Sequence, residues 1–258
     1  MKIQVLVATM NQNDHSLIDA MNIKTDAIIG NQCSLNSVED FMFGNQRIIY
    51  LNSSERGVGL NRNNALMRAN ADICVFADDD MIFDDNYVET VTKVFHENPQ
   101  ADVIIFNLRE KNVVRKINKK KKRVCYFNYL RYGTARIAIR LKNIRKYGIY
   151  FNQCFGGGTE HYHGEDNLFL NACLKNKLVV IAVPEYIATL TDNRESSWRE
   201  SSWNSEHNEK YLKDQGVLYK TLSRRWWKIL CLQDAIRRSK REYRMSWVEA
   251  YKKMRDSQ

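Results

Sequence analysis

Three adjacent carboxylates after a short apolar segment form the most chemically suggestive stretch of the chain. Asp78, Asp79 and Asp80 directly follow a β-branched and aromatic run, in the sequence ADICVFADDDM. A segment that is apolar on both faces is typical of a central strand in a parallel sheet, and ligands bind beyond the carboxyl ends of such strands. Adjacent acids repel one another unless a cation neutralises them, and hard divalent cations prefer oxygen ligands. The triplet therefore predicts a cation site, and the alternative is an acidic turn that caps a helix beginning near Asp84.

A second acidic pair, Glu165-Asp166, follows a glycine-rich loop and opens an apolar segment, Leu168–Lys175, that we expect to be helical. At least one of these carboxylates is expected to cap that helix, because acids are favoured at helix N-termini. The other is able to take a proton from a hydroxyl if it lies close to the Asp78–Asp80 triplet. Both acidic groups fall at strand-to-helix turns or in adjacent loops, so the two groups can meet in space.

Two further segments have residue types that suit ligand binding. Gly57 and Gly59 lie at a predicted strand-to-helix turn with Arg62 in the first helical turn. Helix N-termini bind anions and an arginine adds a charged donor, but the spacing fits neither the dinucleotide-binding nor the P-loop motif. The alternative is an ordinary turn with a solvated arginine.

The second of these segments carries a His-X-His pair, His161 and His163, beside the acidic pair. A zinc site is disfavoured, because only two soft ligands are close in sequence and no metal-binding helix motif accompanies them. We expect this loop, with Gly157 and Gly158, to contact a substrate.

The elements that must position these residues alternate between strand and helix over the first 107 residues, which predicts a parallel α/β sheet. The later segment 113–129 is basic and lacks a clear helical period, and residues 192–216 are polar. We divide the chain into a main domain, 1–215, with halves 1–107 and 108–191, and a helical extension, 216–258. The predicted strands are 2–9, 26–30, 47–51, 72–77, 102–107, 134–140 and 178–184. The predicted helices are one that opens within residues 52–65 and runs to about 70, two over 84–97 and 168–175, and a short one over 141–147.

The net charge of +10 is unevenly distributed along the 258 residues. Residues 109–146 carry a net charge of +14 and residues 220–258 carry +8, so the remainder carries −12. Basic segments on an acidic protein indicate anionic partners such as phosphates, nucleic acid or an anionic membrane surface. Between Leu222 and Arg241, tryptophans and aliphatic residues alternate with Lys and Arg. This composition fits a helix at a membrane interface or, alternatively, a helix docked on the domain with a solvated basic face.

The cysteines and the N-terminus bear on the cellular compartment. The six cysteines show no zinc spacing and several lie in apolar runs, so we expect reduced core thiols in a cytosolic protein. The N-terminal apolar run is too short for a signal peptide and is predicted to be the first strand. No run reaches the roughly 18 apolar residues that a membrane span needs.

The order and spacing of these motifs resemble family 2 glycosyltransferases of the GT-A fold, over Lys2–Lys175. The matching segments are the first strand and turn, Val5–Asn11; the glycine, Arg-Asn and helix segment, Gly57–Ala65; the DXD-like Phe76–Asp80; and the ED-like Gly164–Phe169. One place departs from the family, because many members have an aspartate after the second strand and this chain has Asn31-Gln32.

The resemblance implies an α/β fold of GT-A type. Its mostly parallel central sheet would be flanked by helices, with a smaller antiparallel acceptor-side part and the C-terminal helical extension.

The resemblance also implies inverting, metal-dependent transfer of a sugar from a nucleotide diphosphate sugar, with UDP as the expected nucleotide. Asp80 with Asp78 would hold Mn²⁺ or Mg²⁺, Asp166 would accept the proton of the attacking hydroxyl, and Glu165 would orient the acceptor or cap the helix. The implied donor-binding residues are Thr9, Asn11, Asn31, Gln32, Arg62, Asp78 and Asp79, and the implied acceptor-side residues are Gly157, Gly158, His161 and His163.

The acceptor that both basic segments would suit is a polyisoprenyl-diphosphate-linked saccharide. We therefore expect a cytoplasmic enzyme, peripheral on the inner face of the plasma membrane, that acts in bacterial capsule, O-antigen or exopolysaccharide synthesis. A sugar nucleotidyltransferase is an alternative, but it needs a glycine-rich basic loop where this chain has Met10–Asp14. A nucleic-acid-binding protein is a second alternative, disfavoured because the acidic remainder of the chain would repel a phosphate backbone.

Overall fold

The computed structural model describes residues 1–111, 116–191 and 205–256, without the side chains of residues 205–208 and 241. Parts of the predicted basic segment 113–129 and of the polar segment 192–216 lie outside these ranges. The strands are β1 (Ile3–Met10), β2 (Asp26–Gln32), β3 (Ser37–Phe43), β4 (Gln46–Ser53), β5 (Ile73–Asp78), β6 (Met81–Phe83), β7 (Val103–Arg109), β8 (Lys122–Arg123), β9 (Ile137–Arg140) and β10 (Val180–Leu190). The helices are α1 (Leu17–Ala20), α2 (Val58–Arg68), α3 (Tyr87–Glu97), α4 (Leu141–Lys146), α5 (Glu165–Lys175), α6 (Ser205–Leu222), α7 (Trp227–Arg238) and α8 (Trp247–Arg255).

The N-terminal half of the sheet is parallel, in the order β4-β2-β1-β5. β1 and β5 are buried almost throughout, as continuous apolar runs in a covered parallel sheet should be. In the register of the sheet, Ala8 pairs with Asp78 and Thr9 pairs with Asn31. The carboxyl ends of β1, β2 and β5 therefore lie at one edge of the sheet.

The remaining strands make the sheet mixed. β9 lies between β5 and β7 and is antiparallel to both, whereas β10 runs parallel to β7. β6 and β8 pair with β10 in antiparallel fashion, and β3 forms an antiparallel edge hairpin with β4. The predicted α/β fold with a helix-flanked central sheet is confirmed, with a larger antiparallel share than we predicted.

Alternate residues of the strands form two hydrophobic cores, one on each face of the sheet. Val5 and Val7 of β1 belong to one cluster, whereas Leu6 of the same strand belongs to the other with Phe76. The second cluster also contains Leu218 of α6, and α7 and α8 pack on α6. The C-terminal helices thus continue the layer on that face, and the predicted boundary at residue 215 lies inside α6.

Two predicted element boundaries differ from the structure for local reasons. The helix predicted over 168–175 begins at Glu165, because Gly164 takes a positive φ of 109° and serves as its N-cap residue. The strand predicted over 178–184 continues through Pro184 to Leu190, and its pairing with β7 is irregular between Ala182 and Ala188. A proline lacks the backbone N–H that regular pairing needs, which accounts for the irregularity at this point.

The structure also describes the cysteines and the apolar character of the helices. All six cysteines are free thiols, and three of them are buried, but Cys154 is exposed, so the thiols are not all in the core. Within the part of the chain that the structure describes, no helix has both the length and the apolar character needed to cross a membrane.

Candidate active site

The aspartate triplet lies at the carboxyl end of β5, beside the end of β1. Asp78 is the last residue of β5, and Asp79 accepts a 2.6 Å hydrogen bond from the Thr9 hydroxyl. The backbone carbonyl of Asp80 accepts a hydrogen bond from the Thr191 amide at 2.8 Å. The triplet is therefore fixed to β1 on one side and to the end of β10 on the other.

Arg62 of α2 joins the triplet to the second acidic pair. Its side chain is only 6% exposed, and it donates hydrogen bonds to Asp78 at 2.8 Å, to Glu165 at 3.0 Å and to Asp166 at 3.3 Å. One guanidinium thus contacts carboxylates from both predicted acidic groups. The structure confirms that the two groups meet in space, although the bridging role of Arg62 was not predicted.

The charges around Arg62 favour its ionised form. Burial by itself lowers the pKa of the Arg62 guanidinium, but Asp78, Asp166 and Glu165 outweigh burial and raise the pKa above its usual range. The guanidinium carbon lies 5.5 Å from the centre of the Phe151 ring. Buried Arg62 Nε has no hydrogen-bond partner among the described residues. The arginine is thus held at its tip by carboxylates and packed along an aromatic ring.

Glu165 and Asp166 occupy the first turn of α5 but differ in accessibility. The Glu165 side chain is 11% exposed, whereas that of Asp166 is 28% exposed. Burial, followed by the neighbouring Asp166, raises the pKa of Glu165 to about 7, although Arg62 acts in the opposite direction. Asp166 is therefore the carboxylate of the pair that an incoming molecule can reach more easily.

Thr134 and Gly133 also border Asp166, and sequence reasoning missed both. The Thr134 hydroxyl donates a hydrogen bond to Asp166 Oδ1, the oxygen that Arg62 also contacts. Gly133 lies on the other side, where an added Cβ would come within 3.2 Å of Asp166 Oδ2. Nothing in the alternating pattern of residues 134–140 indicated a contact with an acid 32 residues later.

The polar residues predicted to contact the donor lie together near the ends of β1 and β2. The Asn31 side chain accepts a hydrogen bond from the Gln12 amide and donates to Asn52 Oδ1, at 3.0 and 2.8 Å. The Gln32 side chain accepts a 2.8 Å hydrogen bond from the amide of Gly57, the residue before α2. Asn11, with a positive φ of 55°, donates its amide to the Gln32 carbonyl. These contacts connect the sheet edge to the start of α2.

The glycine-rich loop lies across the start of α2, and its histidines contact α6. The Gly157 carbonyl accepts a 2.9 Å hydrogen bond from the Val58 amide, and Gly158 has a positive φ of 81° close to Gly57. His161 Nδ1 lies 2.9 Å from Asp214, and His163 Nε2 lies 2.6 Å from Gln215 Oε1.

His163 also stacks on Tyr211 of α6, with the two ring centres 4.4 Å apart. Burial lowers the pKa of His163. The structure therefore brings Gly157 and Gly158 to α2 and connects the two histidines to α6. Asp214, which sequence reasoning missed, lies about 50 residues from the histidines, a separation at which no local pattern exists.

The oxygen-rich donor set is compatible with a hard divalent cation that shares its coordination with a substrate. No group of three His, Cys, Asp or Glu side chains in the described residues is arranged to hold a metal. Mg²⁺ is commonly held by one or two protein carboxylates together with substrate phosphates, and Asp78 and Asp80 supply carboxylates at the sheet edge. The residues present therefore fit a cation that binds with a phosphorylated ligand.

Several solved structures that are similar to this chain are of S. aureus TarS. The structure of TarS 1-349 is 14% identical, with a TM-score of 0.63, and the match covers 100% of this chain and 91% of that chain. The same fragment in complex with UDP-GlcNAc is 12% identical, with a TM-score of 0.61, and the match again covers 100% and 91%. A further TarS structure is 15% identical with a TM-score of 0.63, and this chain spans 55% of its length. At these identities the likeness shows the fold.

The sequence itself decides the family. No curated protein matches the chain. The family model of glycosyl transferase family 2 matches residues 3–160, which is more than half of the 258 residues and includes β1, α2 and the aspartate triplet. The chain is thus a glycosyltransferase and belongs to glycosyl transferase family 2.

Proposed function

We propose that the enzyme transfers a sugar from a nucleoside diphosphate sugar to a hydroxyl of a saccharide acceptor, with inversion at the anomeric carbon. The observation that carries this proposal is the contact of Arg62 with Asp78, Glu165 and Asp166. This contact supports the proposal because it joins Asp166, the candidate base, to the sheet edge at which ligands of α/β proteins bind. An inverting displacement needs such a base on the acceptor hydroxyl, opposite the leaving group.

Asp166 is the proposed general base. Its hydrogen bonds from Arg62 and Thr134 both reach Oδ1. We therefore assign Oδ2, beside Gly133, as the oxygen that accepts the proton of the attacking hydroxyl. Glu165 is less exposed than Asp166 and accepts a hydrogen bond from Arg62, so it is harder for an acceptor hydroxyl to reach and serves to hold Arg62 in place.

A divalent cation, Mn²⁺ or Mg²⁺, is proposed to be held by Asp80 and Asp78. When bound, it would neutralise charge on the departing diphosphate. The triplet suits such a cation because it offers carboxylate oxygens at the end of a buried strand. Asp79, fixed by Thr9, would then face the nucleotide together with Asn11 and Gln32, whereas the buried Asn31 would support them from behind.

A UDP-sugar is the proposed donor. The similar TarS structure in complex with UDP-GlcNAc supports this choice. Asn31 and Gln32 stand where many family members have an aspartate. Asn31 is buried and its amide donates to Gln12 and Asn52, so Gln32 is the amide of the two that we propose to hydrogen-bond a base or ribose. Family membership also favours sugar transfer over the nucleotidyltransferase and nucleic-acid-binding alternatives.

The proposed acceptor is an anionic saccharide linked to a polyisoprenyl diphosphate, as in bacterial surface-polysaccharide synthesis. The basic residues of segment 109–146 support this choice, because they would attract a diphosphate. Gly133 and Thr134, which border the candidate base, belong to the same segment. The aromatic ring of Phe127 in that segment is 96% exposed, and exposed rings are available to pack against a sugar or lipid.

A thermal-shift panel of UDP-, GDP-, CMP- and dTDP-sugars, each with and without Mn²⁺, tests the reaction class. We expect one nucleotide class to raise the unfolding midpoint, and to raise it more with the metal, because a ligand that binds only the folded state stabilises it. A protein that responds to no nucleotide sugar would contradict the proposed function.

Three variants separate the proposed roles. Asp166→Asn should keep donor binding and lose transfer, whereas Asp80→Asn should weaken the metal-dependent part of donor binding. Asp85→Asn is the matched control, because Asp85 is exposed and pairs with Lys24 away from Arg62. Full transfer activity in Asp166→Asn would remove Asp166 as the base.

A further inference from the structure

Helix α7 presents a row of aliphatic side chains to solvent. Ile229, Leu232 and Ile236 follow one another at spacings of three and four residues, so they lie on one face of the helix. Ile229 is 55% exposed and Ile236 is 60% exposed. Trp226, directly before the helix, is also exposed. We call Trp226, Ile229, Leu232 and Ile236 the α7 stripe.

The opposite face of α7 is docked on the protein. Cys231, Asp234 and Ala235 are buried there, and Asp234 accepts a 2.7 Å hydrogen bond from the Tyr243 hydroxyl. The helix therefore already has the packing that holds it in the fold. The α7 stripe is additional apolar surface, which the core does not use.

The exposed charged residues next to the α7 stripe along the helix are basic. Arg225 and Lys228 border it near its start and Arg237 near its end, and all three are exposed. Asp234 is the single acidic residue between positions 224 and 240 of the sequence, and it lies on the buried face. The Arg225 guanidinium carbon lies 5.2 Å from the Trp226 ring centre. The surface thus combines an aliphatic centre, a tryptophan and a positively charged border.

The positive charge and the apolar character of this surface together indicate which kind of partner it binds. A second copy of the chain would bring the same positive border, and the two would repel. Nucleic acid would satisfy the basic residues but would leave the aliphatic side chains without an apolar partner. A bilayer containing anionic lipid satisfies both, because aliphatic groups enter the acyl boundary, Lys and Arg contact headgroups, and tryptophan is favoured at the interface.

We propose that α7 lies in the plane of an anionic lipid bilayer, with the α7 stripe inserted at the headgroup boundary and Lys228 and Arg237 on anionic headgroups. This binding goes beyond sugar transfer and does not depend on the donor or acceptor. It would hold the enzyme at a surface where the local concentration of a lipid-linked molecule is high.

Flotation of the full chain with lipid vesicles tests the proposal. We expect binding to vesicles that contain phosphatidylglycerol, and at least roughly tenfold weaker binding to pure phosphatidylcholine, because the positive border gains only from anionic lipid. Binding should weaken as salt is raised. A wild-type chain that does not float with phosphatidylglycerol vesicles would overturn the proposal.

A pair of matched variants isolates the α7 stripe. Ile229→Gln/Ile236→Gln removes two inserted side chains and should weaken vesicle binding by at least about tenfold. Val38→Gln/Met42→Gln removes two equally exposed apolar side chains from the edge strand β3 and should leave vesicle binding unchanged. Equal vesicle binding by both variants would overturn the assignment of the surface.

Charge variants give an independent readout if the Gln pair in α7 disturbs folding. Lys228→Gln/Arg237→Gln should weaken binding to phosphatidylglycerol and flatten its salt dependence, with the unfolding midpoint of the wild type. Light scattering tests whether the α7 stripe binds a second copy of the chain, and a gel-shift experiment with duplex DNA tests whether it binds nucleic acid. A dimer that the Ile229→Gln/Ile236→Gln variant dissociates, or DNA binding that displaces vesicles, would overturn the membrane assignment.

Discussion

At the scale of single residues, the buried Arg62 holds three carboxylates that would otherwise repel one another. Replacing it in Arg62→Gln leaves Asp78, Glu165 and Asp166 without their shared cation. Breaking a buried ion pair on one side is strongly destabilising, so we expect the free energy of unfolding to fall by about 3 kcal/mol. Urea unfolding measures the loss.

The control for this substitution lies on the same helix. Arg68→Gln removes an exposed arginine whose side chain contacts only a backbone carbonyl among its described hydrogen bonds, and its stability should stay within about 0.5 kcal/mol of the wild type. Equal losses in the two variants would mean that the carboxylate cluster is stable without Arg62.

Glu165 should make the stability of the protein depend on pH. Its pKa is raised to about 7, so between about pH 4.5 and pH 7 the folded state binds this proton more tightly than the unfolded state. Stability must then fall as pH rises through that window. Between pH 5 and pH 7.5 we expect the loss due to Glu165 to be about 2 kcal/mol.

Chemical unfolding of the wild type and of Glu165→Gln at both pH values isolates this contribution. Gln cannot titrate, so the variant should lose about 2 kcal/mol less than the wild type over the same pH interval. Parallel pH profiles for the two proteins would show that Glu165 has an ordinary pKa.

Substitutions at Gly133 and Thr134 test which oxygen of Asp166 acts as the base. Gly133→Ala places a methyl group within 3.2 Å of Oδ2, and the backbone there is extended, at φ −97°, so alanine fits the conformation. We expect kcat to fall by about tenfold while KM for the donor is unchanged, because the crowding meets the attacking hydroxyl. Steady-state kinetics measure both constants.

Thr134→Val and Thr134→Ser complete the comparison. Valine loses the hydroxyl that holds Oδ1 and should also lower kcat, whereas serine keeps the hydroxyl and should restore it. A Gly133→Ala enzyme with wild-type kcat would place the proton acceptor elsewhere.

At the scale of elements, two neighbouring glycines in the loop before α5 differ in whether their position could hold a larger residue. Gly156 has a φ of 104°, and a Cβ there would lie 2.6 Å from Val58 and 2.8 Å from the Glu165 carboxyl carbon. Gly157 has no atom within 4 Å of its added Cβ. We expect Gly156→Ala to lower the free energy of unfolding by about 2–4 kcal/mol, and Gly157→Ala by less than about 0.5 kcal/mol.

Thermal unfolding of both alanine variants measures this difference. The two variants add the same group at adjacent positions, so the comparison isolates the backbone and the close approach to Glu165. Similar unfolding midpoints would show that the loop repacks around the new methyl group.

Sequence patterns predicted the strands whose burial shows in their own run of residues, but not the features that depend on distant partners. The apolar run of residues 72–77 predicted a central strand, and β5 indeed lies between β1 and β9. The edge strand β3 was not predicted, because Asp40 and Glu39 interrupt its apolar residues and an edge strand has a face in solvent. The sequence of β9 predicted a strand, but its antiparallel direction depends on partners far along the chain.

The same division holds for the candidate site. Asp78, Asp166 and Arg62 stand out by residue type beside predicted turns, so the sequence was sufficient to propose them as candidates. Their convergence on one guanidinium, and the contacts of His161 and His163 with α6, join residues 16 to 104 positions apart. A local sequence pattern cannot predict contacts between residues so far apart. These contacts depend on the register of the sheet and on the docking of α6.

At the scale of the whole molecule, the C-terminal helices belong to the same core as the catalytic half. Leu218, Tyr219 and Leu222 of α6 are buried in the cluster that also contains Phe76 of β5. Burying an apolar side chain of this size contributes about 1.5–3 kcal/mol, so these three contribute about 6 kcal/mol. That is a large share of the roughly 5–15 kcal/mol by which folded proteins are stable.

A chain that ends at residue 215 should therefore fail to fold as a domain. The truncation removes the three buried α6 side chains together with α7 and α8, and it exposes the apolar surface that they cover. We expect the full chain to unfold in one cooperative transition, and the truncated chain to show no cooperative transition by circular dichroism. A chain ending at residue 256 is the control and should unfold like the full chain. A cooperative transition at the wild-type midpoint in the 1–215 chain would instead support a separate domain boundary at residue 215.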